Sequence, residues 1–431
     1  MTSSPIFQNH KQKLSPVWPH FTQIEVSHAK GSYLFDSRNQ PYLDFTSGIG
    51  VTNIGHCHPR VVQAIQRQAE RLIHGQATVV YHQPMLDLVT ELEKVLPTHL
   101  NSFFFANSGS EAVESALKLA RQATKKTNII AFQGGYHGRT VGAMSLTTAK
   151  TIYRSHYQPL MPGVHIAPYP DPFRYRGVSP EDLSEWCLQE LQHLLRTQTS
   201  PEETAAMIIE PILGEGGYVV PPKNFLPRLK EICEQHGILL ILDEIQTGFG
   251  RTGKFFAYEH FGVEPDILLI AKGLASGMPL SGVVANRRWM NHWQKGSHGG
   301  TYGGNALSCA AAAETLRVIH DERLLAKAKT AGDRLMNRLR DTAKYCSYLG
   351  EIRGLGLMIG CEFVDYLNYS KQYIAERVRK ECLKKRLILL TCGTENHVIR
   401  WIPPLNITPQ QVEEAVNIFE WALDHALKEG V

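Results

Sequence analysis

What this chain lacks narrows it before any motif is read. No apolar stretch comes near the roughly 18 residues that a membrane-spanning helix needs, so no membrane partner is expected. The formal net charge is only +4, and the lysines and arginines are scattered, which removes the electrostatic case for nucleic acid. The 8 cysteines (residues 57, 187, 233, 309, 346, 361, 382 and 392) form no C-x-x-C pair and no metal-ligand cluster. Spread through a long chain with no export signal, they read as reduced thiols of a cytoplasmic protein. The segment Met1 to Phe21 is polar and lacks the apolar core of a secretory signal. Histidines such as His56, His58 and His82 show no H-x-x-x-H spacing joined to a third ligand, so they read as core or turn residues and no metal is expected. Internal repeats and low-complexity segments are also missing.

What is present is a globular α/β pattern. Hydrophobic residues make up 43% of the 431-residue chain and charged residues 20%, enough for a sizeable core. Gly31 to Phe45 reads as a hairpin turning near Ser37 to Asn39, and Pro59 opens a helix from His58 to about Leu72. Strand-like runs follow at Ser102–Ala106, Asn128–Phe132, Ala206–Glu210, Ile238–Asp243 and Ile267–Ala271, alternating with helical stretches. That alternation predicts a doubly wound, mainly parallel sheet. A long alanine-rich helix is expected after Asn305. Beyond residue 320 the texture changes to charged amphipathic helices and short strands, at Ile352–Val364 and Leu387–Thr391, which reads as a smaller α+β domain.

Two of the apolar runs end on chemistry. Gly237-Ile-Leu-Leu-Ile-Leu-Asp243 closes on a carboxylate, and Asp266-Ile-Leu-Leu-Ile-Ala-Lys272 on an amine. Continuous apolar runs of this length suit strands buried on both faces, and open parallel sheets bind ligands at the carboxyl ends of their strands. A lysine and an aspartate delivered there match the needs of pyridoxal 5'-phosphate. The amine forms a Schiff base and the acid pairs with the pyridinium nitrogen.

Other segments add to this. Ser108-Gly109-Ser110-Glu111 joins a strand to a helix, offering free N–H groups and a hydroxyl to a phosphate; a capping box alone explains the same spacing. In Tyr136-His137-Gly138-Arg139-Thr140, Tyr136 can stack on a flat ring and Arg139 can fork onto a carboxylate, although an exposed loop arginine is the plain alternative. Glu210 and Glu215 lie on a strand end and the loop after it, where solvated acids are ordinary.

The string Asp243-Glu-Ile-Gln-Thr-Gly-Phe-Gly-Arg-Thr-Gly253, followed by Pro265-Asp-Ile and Ala271-Lys272-Gly273, resembles the signature of the class III (ω-amino acid) aminotransferases. These are pyridoxal-phosphate enzymes of fold type I. The resemblance runs from Tyr42-Leu-Asp-Phe45 to Arg400-Trp-Ile-Pro-Pro404 with motifs in family order, and within the family the 4-aminobutyrate aminotransferases are most similar. It implies an N-terminal segment 1–58 joining the small domain, a large cofactor-binding domain 59–320 and a C-terminal small domain 321–431. It implies Lys272 and Asp243 as the catalytic pair, and Gly109, Ser110, Tyr136, His137, Ile245, Gln246 and Thr301 on the cofactor. Thr301 would reach the neighbouring subunit's phosphate, so a homodimer or dimer of dimers with shared active sites is expected.

Ile49, Arg139, Glu210, Glu215 and Arg400 are implied in substrate binding, with Glu215 and Arg400 as a switchable ion pair. The reaction implied moves an amino group from an ω-amino acid, such as 4-aminobutyrate, to the small 2-oxo acid 2-oxoglutarate. An amino-acid racemase or epimerase of the same family, an acetylornithine or ornithine aminotransferase, and a non-catalytic protein keeping the fold are the competing readings. Retention of Lys272 and Asp243 argues against the last.

Overall fold

The computed structural model describes residues 5–428. Its centre is a seven-stranded sheet in the order Ser102–Ala106, Ser281–Ala285, Ile267–Ile270, Leu239–Asp243, Thr204–Ile209, Asn128–Phe132 and Val164–Ala167. The last five of these run parallel, and Ser281–Ala285 lies antiparallel to both its neighbours. Leu239–Asp243 and Ile267–Ile270 are buried along their whole length. Successive side chains alternate between two cores: Leu240, Leu242, Leu268 and Ile270 enter one, Leu239, Ile241, Ile267 and Leu269 the other. This is why the runs are apolar at every position rather than at every second one.

The sheet is mainly parallel, as expected, but two of its strands are absent from the sequence reading. Ser281–Ala285 carries a glycine at its middle; a Cβ there would stand 3.2 Å from Ile270 Cγ1 and 3.3 Å from Phe105 Cδ1, so the strand fits only with a small residue. Val164–Ala167 is a four-residue edge strand, too short for a periodic signal. Boundaries also move. The strand expected at Ala206–Glu210 is Thr204–Ile209, which releases Glu210 from the ladder. The helix expected to reach Leu72 is Pro59–Ala69, closed where the Gln68 side chain donates to the Leu72 carbonyl at 2.8 Å.

Tyr33–Asp36 and Pro41–Asp44 form the expected hairpin, its turn held by Asp36, whose carboxylate accepts from the N–H groups of Arg38 and Gln40 at 2.9 and 2.8 Å. The run Leu387–Thr391 is not one strand. Leu387–Ile388 pairs parallel with Pro41–Asp44, whereas Leu390–Cys392 pairs with Val398–Trp401 in a separate sheet with Leu349–Leu355 and Met358–Phe363. The chain changes sheets at Leu389, and so ties the N-terminal hairpin to the sheet that carries Arg400.

Arg251, fully buried, binds these parts together: its guanidinium donates to Asn53 Oδ1 at 2.7 Å, to the Leu357 carbonyl at 3.2 Å and to the Pro403 carbonyl. All 8 cysteines are free thiols. Among the described residues no helix is long and apolar enough to cross a membrane, and no group of three or more His, Cys, Asp or Glu is placed to hold a metal ion.

Candidate active site

The carboxyl ends of the parallel strands converge on one cleft of about 340 Å³. Asp243 is the last residue of its strand, Glu210 follows Ile209, and Lys272 stands two residues past Ile270 in a short 3₁₀ turn. Lys272 has φ +45°, a left-handed backbone unusual for a non-glycine residue and costing roughly 1–3 kcal/mol. Ten of the residues expected at the site line the cleft: Gly109, Ser110, Tyr136, His137, Glu210, Glu215, Asp243, Ile245, Gln246 and Lys272.

Several are held by contacts from distant parts of the chain. Asp243 Oδ2 is 2.7 Å from His137 Nδ1, both side chains being almost fully buried, and Asp243 Oδ1 accepts from the Ile245 N–H at 3.1 Å. Glu210 accepts from the Tyr136 and Gly214 N–H groups at 2.8 and 2.9 Å, yet burial pushes its carboxyl up to about 7. Asp243 adds to that rise and His137 opposes it. Burial also holds the Lys272 ammonium below the usual lysine range, against the pull of Glu215, Glu210 and Asp243.

Arg400 forms an ion pair with Glu215, which lines the cleft, their side chains 4% and 12% exposed. Burial disfavours the charge on Glu215, but Arg400 outweighs it and the carboxyl titrates below its usual range. Arg400 in turn is raised by Glu215 despite its burial. The loop carrying Glu215 is braced by Arg353, whose Nε and Nη2 donate to the Gly217 carbonyl at 3.1 and 2.6 Å while its Nη1 meets Glu351 and Glu362 at 2.5 Å each.

The helix Gly109–Thr124 begins at the cleft. Ser108 caps it with Glu111 in a reciprocal capping box, so the plain alternative for this motif is present. The cap does not exclude anion binding, because the first N–H groups of a helix have no acceptor within it.

Four expected residues lie outside the lining. Arg139 is exposed, its guanidinium 5.9 Å from the Tyr136 ring centroid and 5.2 Å from that of Tyr153. Ile49 is 37% exposed with φ +67°, two residues before Val51, which does line the cleft. Thr301 is exposed in the loop before the helix Ala306–Asp321. Arg400 belongs to the site through Glu215 rather than by lining it.

Sequence reading missed Val51 and the pair Lys150 and Tyr153 beside Glu215. A lysine and a tyrosine in a stretch without periodicity carry no signal of their own.

The residues present fit pyridoxal phosphate. A Cβ on Gly138, whose φ is +133°, would come within 2.2 Å of Ser110 Oγ, and one on Gly109 within 3.0 Å of Ile245 Cδ1, so glycine is what keeps this end open. His137 Nε2 and Gln246 Oε1 are buried without a hydrogen-bond partner. An amine, a buried carboxylate and a helix N-terminus therefore surround a space kept open by Gly109 and Gly138.

Comparison with known proteins agrees. A family model described as Aminotransferase class-III matches residues 15–423. A 5-aminovalerate aminotransferase of Pseudomonas aeruginosa is 39% identical over 93% of this chain and 93% of its own, and a 4-aminobutyrate aminotransferase of Escherichia coli 39% over 94% of each. An alanine/serine racemase of Pyrococcus horikoshii is 36% identical over 92% of this chain and 85% of its own. The solved structure of an amine transaminase from an uncultivated Pseudomonas species, in its PLP-bound form, superimposes with a TM-score of 0.89 at 30% identity, covering 99% of this chain and 98% of that one. With a lysine, an aspartate and a helix N-terminus at the strand ends and a match spanning nearly its whole length, the chain belongs to the class III aminotransferases, which use pyridoxal phosphate.

Proposed function

We propose that the protein transfers an amino group from an ω-amino acid, with 4-aminobutyrate the first choice, to 2-oxoglutarate, giving a semialdehyde and glutamate. The observation that carries this reading is the buried Glu215–Arg400 pair at the cleft wall. An ω-amino acid brings no α-carboxylate, whereas 2-oxoglutarate brings two carboxylates. Bare during the first half, Arg400 would be an unpaired buried charge, which is costly. Glu215 masks it and yields it to the α-carboxylate in the second half.

When bound, pyridoxal phosphate supplies an aldehyde for the substrate amine and a ring that takes up electrons. Lys272 Nζ would hold the cofactor through that aldehyde. The same amine, its pKa lowered by burial, is placed to take the proton from the substrate carbon and to return it. Asp243, oriented by His137, would keep the ring nitrogen protonated. Gly109 and Ser110 would hold the phosphate, Tyr136 and Ile245 would pack on the ring, and Gln246 and Glu210 would lie near it. Arg139 grips the distal carboxylate in both halves, with Ile49 lining the substrate's path.

The working unit on this reading is a homodimer in which Thr301 completes the neighbouring site. Ile73, Val79, Tyr81 and Tyr302, each more than 60% exposed, lie on the two loops that meet beside Thr301 and support that role.

A racemase is the second reading, favoured by the Pyrococcus relative. The test is glutamate formation from 2-oxoglutarate with 4-aminobutyrate, 5-aminovalerate, ornithine, N-acetylornithine and lysine as donors, beside a chiral assay of alanine, serine and leucine. Glutamate from a short ω-amino acid supports the proposal. Inversion of an α-carbon with no glutamate from any donor refutes it.

A further inference from the structure

An incoming α-carboxylate that takes Arg400 strands Glu215 in a nearly dry wall, since its side chain is 12% exposed. A carboxylate displaced there needs another cation. Lys150, half-buried just before the 3₁₀ turn Thr151–Tyr153, is placed to be that cation. Its ammonium donates to Asn396 Oδ1 and stands 6.0 Å from the Tyr153 ring centroid, and among the described residues it has no carboxylate within 4.0 Å.

The same turn that supplies Asn396 also holds Glu215. Gly393 N–H donates to the Glu215 carbonyl at 2.9 Å, and Asn396 N–H closes the turn on the Gly393 carbonyl at 3.1 Å. Lys150 and Glu215 are therefore fixed to one four-residue turn, between the strands Leu390–Cys392 and Val398–Trp401. Burial lowers the lysine's pKa, and Glu215 is the foremost group working against that. Arg400 repels it, and the buried Cys392 thiol nearby is pushed up to about 12 and stays neutral. Glu215 thus faces three cations, Arg400, Lys272 and Lys150, and is paired with the first; Lys272 is committed to the proton transfer proposed above, which leaves Lys150 to receive a displaced carboxylate. An ammonium held by a neutral amide oxygen gains by exchanging it for a carboxylate, whose hydrogen bonds are roughly twice as strong.

We propose that Lys150 is a positioning residue for the second half-reaction: it receives the Glu215 carboxylate when the α-carboxylate of 2-oxoglutarate takes Arg400. The exchange breaks the Lys150–Asn396 hydrogen bond and keeps both arginine and glutamate paired in each half of the cycle. Tyr153 and Arg139 are not alternatives, since one is a phenol raised to about 12 by burial and the other is already against the Tyr136 and Tyr153 rings. This inference rests on the switch proposed above, and its test separates the two.

Lys150→Met, Lys150→Arg and Asn396→Asp are made on the parent and on a Glu215→Gln background. The KM values for the ω-amino donor and for 2-oxoglutarate are measured on the holoenzyme, with melting temperature as a check on folding. Lys150→Met is expected to raise the KM for 2-oxoglutarate about tenfold and leave that of the donor unchanged, and Lys150→Arg to restore it. Asn396→Asp, which places a permanent carboxylate on Lys150, is expected to raise it likewise with the lysine intact. On Glu215→Gln, where no carboxylate has to be received, neither change has an effect. An undiminished effect on that background means that Lys150 binds substrate directly, and overturns the proposal; so does an equal rise for both substrates, or none. If Glu215→Gln alone leaves the ratio of the two KM values untouched, the switch itself is wrong.

Discussion

Replacing Glu215 with alanine isolates the electrostatics of the site from its chemistry. The change leaves Arg400, 4% exposed, without its carboxylate, and Arg400 Nε already lacks a hydrogen-bond partner. Removing one member of a buried pair costs about 3–5 kcal/mol, and the adjoining cleft admits some water, so the lower end applies. A chain of 431 residues has an unfolding entropy near 0.9 kcal/mol/K, which turns about 3 kcal/mol into a fall of about 3 °C in melting temperature. The measurement is thermal unfolding of the cofactor-loaded protein, with and without 2-oxoglutarate.

The ligand should stabilise the variant more than the parent at equal concentration, because the parent must first break its own ion pair. At a hundred times Kd a ligand adds about 2.7 kcal/mol, so nearly the whole loss is recoverable. A fall below about 1 °C shows that Arg400 is hydrated rather than desolvated. Equal ligand stabilisation of the two proteins refutes the claim that Glu215 competes with a substrate carboxylate.

Lys272→Ala should abolish turnover while leaving the fold intact; normal rates with added cofactor would contradict its assignment. Gly138→Ala forces a Cβ to 2.2 Å from Ser110 Oγ at a φ of +133°, and is expected to weaken cofactor binding at least tenfold and cost about 3 kcal/mol. Fluorescence titration of the apo protein and a melting curve check both; unchanged cofactor affinity would separate Ser110 from the phosphate site. Glu244, fully buried and accepting from the Tyr258 N–H at 2.7 Å, is pushed up to about 7 by burial. Its folded value lies above the unfolded one, so its contribution is intact below about pH 4.3 and lost as pH rises through 7, on the order of 3 kcal/mol. Stability curves from pH 5 to 8 should therefore fall less steeply for Glu244→Gln, and an identical slope would show that the acid is charged throughout.

The end residues Asp243 and Lys272 were legible because a strand buried on both faces is apolar at every position, and the first polar residue after it stands at the rim where ligands gather. The hairpin at Asp36 and the cap at Ser108 were legible for a related reason: turns and caps are set by side chains within four residues. Ser281–Ala285 was not, because a glycine needed for packing against Phe105 and Ile270 looks in isolation like a break.

The sequence by itself determined the apolar runs that lead to Asp243 and Lys272 and the residue types that follow them, since these depend on local periodicity and on short-range hydrogen bonding. Only the tertiary structure decided the contacts that make those residues a site. His137 meets Asp243 across 106 positions, Glu215 meets Arg400 across 185, and Lys150 reaches Asn396 across 246. The single run from Leu387 to Thr391 was divided between two sheets by partners that no neighbouring residue specifies. Pattern along a chain records which face a residue buries; what lies against that face follows from the packing of the whole molecule.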